Sequence, residues 1–539
     1  MKKRLAILCA VILCLSMLLA ACDSISVSVT VKFDVNYSGG VNPKEQKVVQ
    51  GEIVELPAVS RDGYDFDGWY TAATGGQFVG FDGHSYTAAE NVILYAHWTE
   101  HGGNVIPDEP DDPDDPTPVE SKTIVFYSAM SMKQRRILEE IIESFEDKYP
   151  DWEVKLTSFV SYDEINEQIL TDLQVNKQPD IALCYADNVA NYLMTGKVVD
   201  LGKYINSTET VDGQLVGYTA VEQSDFITAF WNEGLASCTY GDYYLYGYDD
   251  SAMFTLPFTK STEVMYYNKT VLDELGLQPA TTWDELWQQC ETIKLQYPRC
   301  IPLGYDSESY WFINMCQQNG WGYTSPKGEH FLFDNENTEA WLNQLKEYYN
   351  LRYFTTGNLS GTYTSNLFNL GVDGGCVYSI YASSAASFYS YNSFEVGVTQ
   401  IPASVNGSNY SIAQGASAVM FENNGYSNAY EREVMTFLFM KELLEPQVQA
   451  SLSLTSNYIP VRSSVYDLDI YQEFLKGTEV TQQAARAALS TINNLFTVPV
   501  FRNSTAARIQ VGNALVYAVK GEKTAAKALN DAYLYCVNN

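Results

Sequence analysis

Tyrosine dominates the side chains of this sequence that could take part in chemistry or recognition, with 40 tyrosines against 4 histidines. Only His330 lies beyond residue 121, and the sequence contains no G-x-S-x-G, H-E-x-x-H or G-K-S motif. Serine-hydrolase, zinc-peptidase and nucleotide-hydrolysing chemistry therefore lack their usual residues. The 66 acidic side chains leave one enzymatic alternative, a secreted glycoside hydrolase that uses two carboxylates. A composition rich in tyrosine, asparagine and serine favours a protein that binds a polar, hydroxylated molecule.

Length and charge limit the kinds of protein that this chain can be. Its 539 residues predict two to four domains, at about 100–200 residues per domain. Apolar residues make up 46%, enough for a packed core, and the net charge is -33. Because phosphate binding needs a basic surface, we expect no nucleic-acid partner. With few histidines and no C-x-x-C motif, we also expect no cofactor and no metal site.

The N-terminus has the pattern of a lipoprotein signal. Lys2, Lys3 and Arg4 precede an apolar run from Leu5 to Ala21, which is short for a membrane span. The run ends in Leu-Ala-Ala-Cys22, which resembles the bacterial lipobox. We therefore expect residues 1–21 to be a signal peptide, residues 22–25 a lipidated N-terminus, and Cys22 the lipid attachment site on the outer face of the cytoplasmic membrane of a Gram-positive bacterium. An ordinary signal peptide or membrane anchor is the alternative.

Residues 26–99 read as an all-β domain. Apolar side chains alternate from Val27 to Phe33, as in a half-buried strand. The run G-Y-D-F-D-G-W-Y at 63–70, followed by L-Y-A-H-W at 94–98, resembles the Listeria–Bacteroides repeat, or internalin-type B repeat. That resemblance implies a β-grasp-like fold and a surface module, either a spacer or an adhesive unit. A single copy favours the spacer.

The segment at residues 100–121 is predicted to be a linker. Pro107 to Pro118 contains five prolines and six acidic residues. Proline stiffens the backbone and like charges repel, so an extended arm is expected. Calcium binding by these acids is the alternative, but the segment lacks a glycine turn and a fixed ligand spacing.

Residues 122–539 begin with strands that alternate with amphipathic helices, which predicts an α/β domain with a parallel sheet. The predicted strands are 123–127, 154–157 and 181–185, and the predicted helices are 132–149, 164–175, 428–444 and one that opens with a capping box at Thr282 and runs to Leu295. Ligands in such sheets bind beyond the carboxyl ends of the strands. The corresponding loops are 128–131, 159–162 and 186–188.

The order of motifs over these 418 residues resembles the extracellular solute-binding proteins of ABC importers, family 1, the maltose-binding type. Such proteins have a two-lobed, type II periplasmic-binding-protein-like fold with a hinge. The motifs are F-E-D-K-Y-P at 145–150, P-D-I at 179–181, L-P-F at 256–258, Y-Y-N-K at 266–269, L-G-L at 275–277, T-W-D-E-L at 282–286, Q-G-A-S at 414–417 and N-Y-I-P-V at 457–461.

Within that family the chain most resembles the glycerol-3-phosphate branch, through L-P-F-T-K-S-T at 256–262 and the serine pair at 383–384. The resemblance implies ligand contacts from a tyrosine after the second strand, which matches Tyr162, and from a tyrosine before the late proline, which matches Tyr458. It also implies contacts from a serine before Y-Y-N-K, a serine of the serine pair and a glycine before Ala-Ser, which match Ser261, Ser383 or Ser384, and Gly415. The last implied contact is an arginine, which matches Arg508. The sequence departs from the branch after the third strand, where Ala186 replaces the expected acid and Asp187 follows. Tyr127-Ser128 also replaces an aromatic-histidine pair.

The chemistry of these residues leaves alternatives open. Arg508 could hold a phosphate or carboxylate with two N–H groups, or form a salt bridge with a protein acid. Asp187 could accept hydrogen bonds from ligand hydroxyls, or cap the following helix. Trp311 and Trp321 could be stacking platforms, or core residues.

The resulting expectation is a monomeric binding protein that closes on its solute through a hinge and breaks no bond. Its expected partners are a sugar, oligosaccharide or glycerol phosphate, the transmembrane subunits of an ABC permease, and the membrane through its lipid. A surface adhesin is the second alternative. Seven cysteines remain after Cys22, and Cys290 with Cys300 is the candidate disulfide pair.

Overall fold

The computed structural model describes residues 28–50, 53–61, 64–74, 78–80, 85–88, 91–100, 120–390 and 393–538. The chain divides into two compact units, Met1–Pro116 and Thr117–Asn539. The predicted signal, the lipidation site Cys22 and residues 101–119 of the predicted linker lie outside the described residues. Within the described part, no helix combines the length and apolar character that crossing a membrane requires.

The first unit is built from strands, as the alternating apolar pattern predicts. They are β1 Ser28–Asp34, β2 Gln46–Val49, β3 Ile53–Glu55, β4 Tyr64–Tyr70, β5 Phe78–Gly80, β6 Ser85–Thr87 and β7 Val92–Glu100. The main sheet has the order β2-β1-β7-β4-β5, with β1 and β7 parallel, while β3 pairs with β6. Val29, Val31 and Phe33 alternate into the core beside the fully buried Trp69. The repeat aromatic Trp69 is therefore a core residue.

The second unit alternates strands and helices. Its strands are β8 Thr123–Ser128, β9 Glu153–Ser158, β10 Ile181–Cys184, β11 Thr210–Val211, β12 Gln214–Leu215, β13 Thr255–Pro257, β14 Ser261–Asn268, β15 Leu303–Tyr305, β16 Phe354–Thr356, β17 Tyr378–Ala382, β18 Val396–Gln400, β19 Ser411–Gln414, β20 Ser417–Met420 and β21 Leu495–Phe496. The three opening strands agree with the prediction to within one or two residues.

The helices of the second unit fall mainly between these strands. They are α1 Met132–Lys148, α2 Tyr162–Val175, α3 Ala186–Leu193, α4 Gly202–Ile205, α5 Ala220–Ser224, α6 Thr228–Gly234, α7 Ala236–Thr239, α8 Lys269–Leu275, α9 Trp283–Gln296, α10 Glu308–Asn319, α11 Glu336–Asn350, α12 Gly357–Ser360, α13 Thr364–Asn369, α14 Ala429–Leu443, α15 Pro446–Ser456, α16 Asp469–Leu475, α17 Val480–Ser490, α18 Ser504–Lys520 and α19 Ala525–Asn538. The 3₁₀ helices are Tyr243–Tyr246, Ser383–Tyr389, Ser463–Asp467 and Ile492–Asn494.

The first lobe is organised by the sheet β13-β20-β10-β8-β9. Strands β8, β9 and β10 are parallel, but β20 runs antiparallel to β10, so the sheet is mixed and the prediction of a parallel sheet is wrong in this detail. Helix α1 buries Leu138, Ile141, Ile142 and Phe145 against the sheet because these residues recur at helical spacing.

The second lobe is organised by the sheet β16-β15-β17-β14-β19-β21, with β18 beside β14. Its core includes Trp283 and the fully buried Trp311, so of the two alternatives for Trp311 the structure supports the core residue. Trp321 is half-buried and packs against the same core. Cys290 and Cys300 are buried free thiols, so the predicted disulfide is wrong as well.

Helix α9 begins with half of the predicted capping box. Thr282 Oγ1 accepts a hydrogen bond from the backbone N–H of Glu285 at 3.2 Å. The Glu285 carboxylate accepts from the backbone N–H of Thr281 at 2.8 Å, one residue before the expected position. Both contacts satisfy N–H groups that the helix itself cannot pair.

Two crossing segments join the lobes, 258–260 between β13 and β14, and 415–416 between β19 and β20. The segments lie against each other, since the N–H groups of Phe258 and Thr259 donate to the Ala416 carbonyl at 3.2 and 3.1 Å. The N–H of Ile459 donates to the Lys260 carbonyl at 2.6 Å, which brings residues 457–459 to the same place. Paired strands that connect two lobes form a hinge, so the two-lobed α/β fold predicted from the sequence is confirmed.

Candidate ligand-binding cleft

Three tyrosines of the first lobe and the crossing region converge on one crevice. Tyr162 opens α2 after strand β9, and Tyr185 precedes α3 after strand β10. Their ring centroids are 5.0 Å apart. Burial is the main cause of the raised pKa of both hydroxyls, and the neighbouring Tyr458 raises both further. The loops beyond the carboxyl ends of the strands therefore supply this side of the crevice, as expected for such sheets.

The second lobe contributes three more tyrosines. Tyr310 lies in α10, Tyr381 in β17 and Tyr323 just after α10. Burial raises the pKa of all three, and Tyr310 acts on the pKa of both Tyr185 and Tyr381. Tyr310 therefore lies close to tyrosines of both lobes.

All six of these tyrosines are half-buried. Each retains some solvent contact, while the surrounding protein raises the pKa of its hydroxyl mainly through burial. We infer that these side chains line a cleft between the lobes, and we call the region defined by Tyr162, Tyr185, Tyr310, Tyr323, Tyr381 and Tyr458 the tyrosine crevice.

An ion pair joins the lobes at the same crevice. Arg508 in α18 and Asp187 in α3 are 2.7 Å apart between Nη2 and Oδ2, and Thr505 Oγ1 donates to Oδ2 at 3.1 Å. Burial is the largest single effect and lowers the pKa of Arg508, but Asp187 together with Tyr310, Tyr323 and Tyr185 outweighs it, so the pKa is raised. Asp187 is the second residue of α3, and its Oδ2 is used by Arg508 and Thr505 rather than by a helix cap. Its Oδ1 is buried without a hydrogen-bond partner.

The small residues predicted for the site lie around the crossing segments. Ser261 is buried at the start of β14, opposite Gln414. Ser383 is fully buried and its Oγ has no hydrogen-bond partner, whereas Ser384 is half-buried. Asn457 donates to the Ser383 carbonyl at 3.3 Å, which places the serine pair beside residue 458.

Gly415 has a structural requirement of its own. Its φ is +119°, and an added Cβ would lie 2.0 Å from the Thr259 carbonyl oxygen of the other crossing segment. Only glycine allows the two backbones to approach this closely. The glycine is therefore needed for the hinge whether or not a ligand contacts it.

Sequence reasoning missed a buried ionic cluster between the crossing segments. The Lys260 ammonium is fully buried and pairs with Glu233 of α6. It also donates to Ser417 Oγ at 2.9 Å and to the Gly415 carbonyl at 3.1 Å. The only signal in the sequence is a lysine inside a stretch that otherwise reads as buried strand.

A second missed group is Glu263, which is buried in β14 below the crevice. Its carboxylate accepts hydrogen bonds from the Tyr305 hydroxyl and the Asn314 amide. Burial raises the pKa of Glu263 to about 8, against the opposing effect of these hydrogen bonds. Nothing in the local sequence distinguishes this acid from an exposed one on an edge strand.

The structure also contains a surface groove of about 550 Å³ between β18 and α17, lined by Gln400, Asn409, Gln483 and Arg486 among others. None of the predicted site residues lines it. Among the described residues, no cluster of three or more His, Cys, Asp or Glu side chains is arranged to hold a metal ion.

Two families match different parts of the sequence. Residues 140–487 match the bacterial extracellular solute-binding proteins, and residues 30–97 match the Listeria-Bacteroides repeat domain. The first match covers more than half of the chain. The chain therefore belongs to the bacterial extracellular solute-binding protein family, and it carries one Listeria-Bacteroides repeat near its N-terminus.

Curated relatives and solved structures agree with this assignment. The sn-glycerol-3-phosphate-binding periplasmic protein UgpB of Yersinia pseudotuberculosis is 22% identical over 426 residues, which cover 76% of this chain and 90% of that protein. UgpB of Mycobacterium tuberculosis in complex with glycerophosphocholine has a TM-score of 0.61 at 18% identity, covering 77% of this chain and 98% of that one. A substrate-binding protein of Listeria monocytogenes in complex with cycloalternan has a TM-score of 0.60 at 15% identity, covering 78% and 98%. These likenesses establish the fold.

Proposed function

We propose that this protein is the lipid-anchored, solute-binding component of an ABC importer, which captures a carbohydrate or glycerol-phosphate-type solute and delivers it to the permease. The observation that carries the proposal is the tyrosine crevice, where residues from both lobes meet beside the hinge. The relatives that bind glycerol 3-phosphate, glycerophosphocholine and cycloalternan support the class of solute. The protein breaks no bond of its ligand and needs no cofactor.

Hinge closure follows from the placement of the crevice. A solute held by Tyr162 or Tyr185 on one side and by Tyr310 or Tyr381 on the other contacts both lobes only when they are closed. Its binding energy therefore favours the closed form. Tyrosine suits this role because its ring can stack on a sugar face while its hydroxyl hydrogen-bonds.

The remaining predicted residues complete the proposal. Gly415 and the serines Ser261, Ser383 and Ser384 would contribute backbone or hydroxyl contacts, Asp187 would accept from hydroxyls, and Arg508 would donate. Residues 1–21 would be removed as a signal and Cys22 lipidated. The repeat at residues 26–99 and the linker at 100–121 would then hold the binding domain, 122–539, away from the membrane.

Ligand binding is tested by a thermal-shift screen of the whole chain in mild detergent, against sugars, oligosaccharides and glycerol phosphates. A ligand bound only by the folded state stabilises that state by RT ln(1 + L/Kd), where L is the free ligand concentration, so the unfolding midpoint rises as L rises above Kd. The same titration with Tyr458→Ala should lose the shift, whereas Tyr244→Ala, at a tyrosine that is 62% exposed, should keep it. No shift with any solute, or release of a hydrolysed product, would contradict the proposal.

The anchor is tested separately. Expression in a bacterium that carries the lipoprotein pathway should yield membrane-bound protein with a diacylated N-terminal cysteine, detected by mass spectrometry of the N-terminal peptide. Cys22→Ala should remain unlipidated. A wild-type protein found unlipidated and free in the medium would contradict the anchor while leaving ligand binding intact.

A further inference from the structure

The arginine that the family resemblance assigns to ligand binding is already paired with an acid inside the crevice. Arg508 lies in α18, which packs against the second-lobe helices α10 and α11. Asp187 lies in α3 of the first lobe, and its Oδ2 is 2.7 Å from Arg508 Nη2. The Arg508 side chain is 26% exposed and the Asp187 side chain is 9% exposed, so water reaches the carboxylate little and screens its charge weakly.

The two charges also oppose each other at the tyrosines. Burial is the main cause of the raised pKa of Tyr185, Tyr310 and Tyr323. Beyond burial, Arg508 lowers the pKa of all three hydroxyls and Asp187 raises it. At each hydroxyl the effect of Arg508 is the larger of the two, so a ligand beside these rings meets a dipole whose positive end Asp187 offsets only in part.

The other ionic groups near the crevice supply no free cation. Lys260 is fully buried and pairs with Glu233 between the crossing segments. Glu263 and Asp306 are acids, and their negative charges raise the pKa of Tyr381. In the part of the crevice that the structure describes, an anionic ligand would thus depend on Arg508 alone.

We propose that Asp187 sets the ligand class of the crevice, making it select a neutral, polyhydroxylated solute such as a sugar over a phosphomonoester. This inference rests on the proposed solute-binding function. A phosphate that accepts from the remaining guanidinium N–H groups would lie beside the buried Asp187 carboxylate, and one that displaces Asp187 would leave that carboxylate without its partner. A sugar hydroxyl avoids that loss, because it donates to the unpaired Asp187 Oδ1 and accepts from guanidinium N–H groups that the ion pair leaves over.

The geometry of the pair suits a diol. A carboxylate accepts and a guanidinium donates, so adjacent hydroxyls of one sugar ring can bond to both ends of the pair without a change in its charge. The half-buried tyrosine rings provide flat surfaces for the same sugar ring. A phosphomonoester has acceptor oxygens only at its ionised end and would face Asp187 unfavourably.

The test compares the affinity of the whole chain for maltose, maltotetraose and sn-glycerol 3-phosphate by isothermal titration calorimetry. The wild-type chain should bind at least one neutral sugar more tightly than glycerol 3-phosphate by about tenfold or more. Asp187→Asn keeps the size of the side chain but frees the charge of Arg508. The Asp187→Asn variant should change the ratio of the sugar affinity to the glycerol 3-phosphate affinity by about tenfold in favour of glycerol 3-phosphate.

A matched control separates local from global charge. Asp151→Asn removes one negative charge at a residue whose side chain is 80% exposed, and it should leave the ratio unchanged. Wild-type preference for glycerol 3-phosphate over both sugars would overturn the inference and leave the solute-binding function standing. The inference also fails if both asparagine variants change the ratio equally, or if neither does. Binding of no solute in the full screen would overturn the function and the inference together. If Asp187→Asn does not fold, the wild-type ratio still decides.

Discussion

The buried carboxyl of Glu263 predicts a pH dependence of stability that one substitution should remove. Its side chain is 1% exposed, and burial raises its pKa from 4.5 to about 8. Between these two values the folded protein holds a proton that the unfolded chain releases. The free energy of unfolding therefore falls as the pH rises through this window, and it levels off above the folded-state pKa.

The size of the effect follows from the two pKa values. Each pH unit inside the window corresponds to about 1.4 kcal/mol. Integrated from about pH 5 to about pH 8, Glu263 alone should lower the free energy of unfolding by about 3.5 kcal/mol. Glu263→Gln keeps an oxygen that can accept from Tyr305 and Asn314, but it takes up no proton. The variant should match the wild-type protein near pH 5 and exceed its stability by about 3.5 kcal/mol near pH 8.

Urea titrations at several pH values, followed by tryptophan fluorescence, measure this difference. The Trp311 ring stacks on Tyr305 with centroids 4.7 Å apart, so its emission reports on the region around Glu263. Glu336→Gln at an exposed acid should show the wild-type pH dependence. A stability gap between Glu263→Gln and wild type that stays constant from acid to alkaline pH would refute the reasoning.

Two further predictions concern the hinge, and the same urea titration at neutral pH checks both. Gly415→Ala places a Cβ 2.0 Å from the Thr259 carbonyl at φ +119°, and should lower the free energy of unfolding by about 2–4 kcal/mol. Gly425→Ala, where a Cβ meets nothing within 4 Å, should change it little, and equal losses would contradict the close-approach argument. Lys260→Met leaves the buried Glu233 without its cation, with only the Ser417 hydroxyl donating to it, and should lower the free energy of unfolding by about 3–5 kcal/mol. Replacing both, with Glu233→Leu added, should restore most of the loss, and a double variant as unstable as Lys260→Met would contradict a role for the unpaired charge.

The sequence predicted the elements whose pattern is local. Period-two alternation located β1, and the helical spacing of Leu138, Ile141 and Phe145 located α1 to within one residue. Local patterns could not predict that β20 pairs antiparallel with β10 in the first-lobe sheet. Its partner β10 lies more than 200 residues earlier in the chain, and no local pattern specifies which strand a buried apolar run will pair with.

The residues of the candidate site also differ in whether a local sequence pattern could predict them. Tyr162 lies in the predicted loop 159–162, so the rule that ligands bind beyond the carboxyl ends of strands points to it. Tyr185 is the last residue of the predicted strand 181–185, and the structure places it just beyond the end of that strand. Tyr310 sits in a helix of the second lobe, where its spacing reads as ordinary helix. It reaches the crevice only because the crossing segments bring α10 opposite α3, a long-range arrangement that single-sequence patterns do not encode.

Asp187 shows how far a one-residue shift can change a site. The family pattern expects an acid at position 186, and this chain has the acid at position 187. Successive residues of a helix point about 100° apart, so an acid moved by one position within the first turn of α3 faces a different neighbour. Here that neighbour is Arg508, 321 positions further along the chain. The shift is visible in the sequence, but its consequence depends on where α18 packs. The Asp187 side chain therefore forms an ion pair with Arg508, and that pair is the basis of our proposal for the class of solute that the crevice accepts.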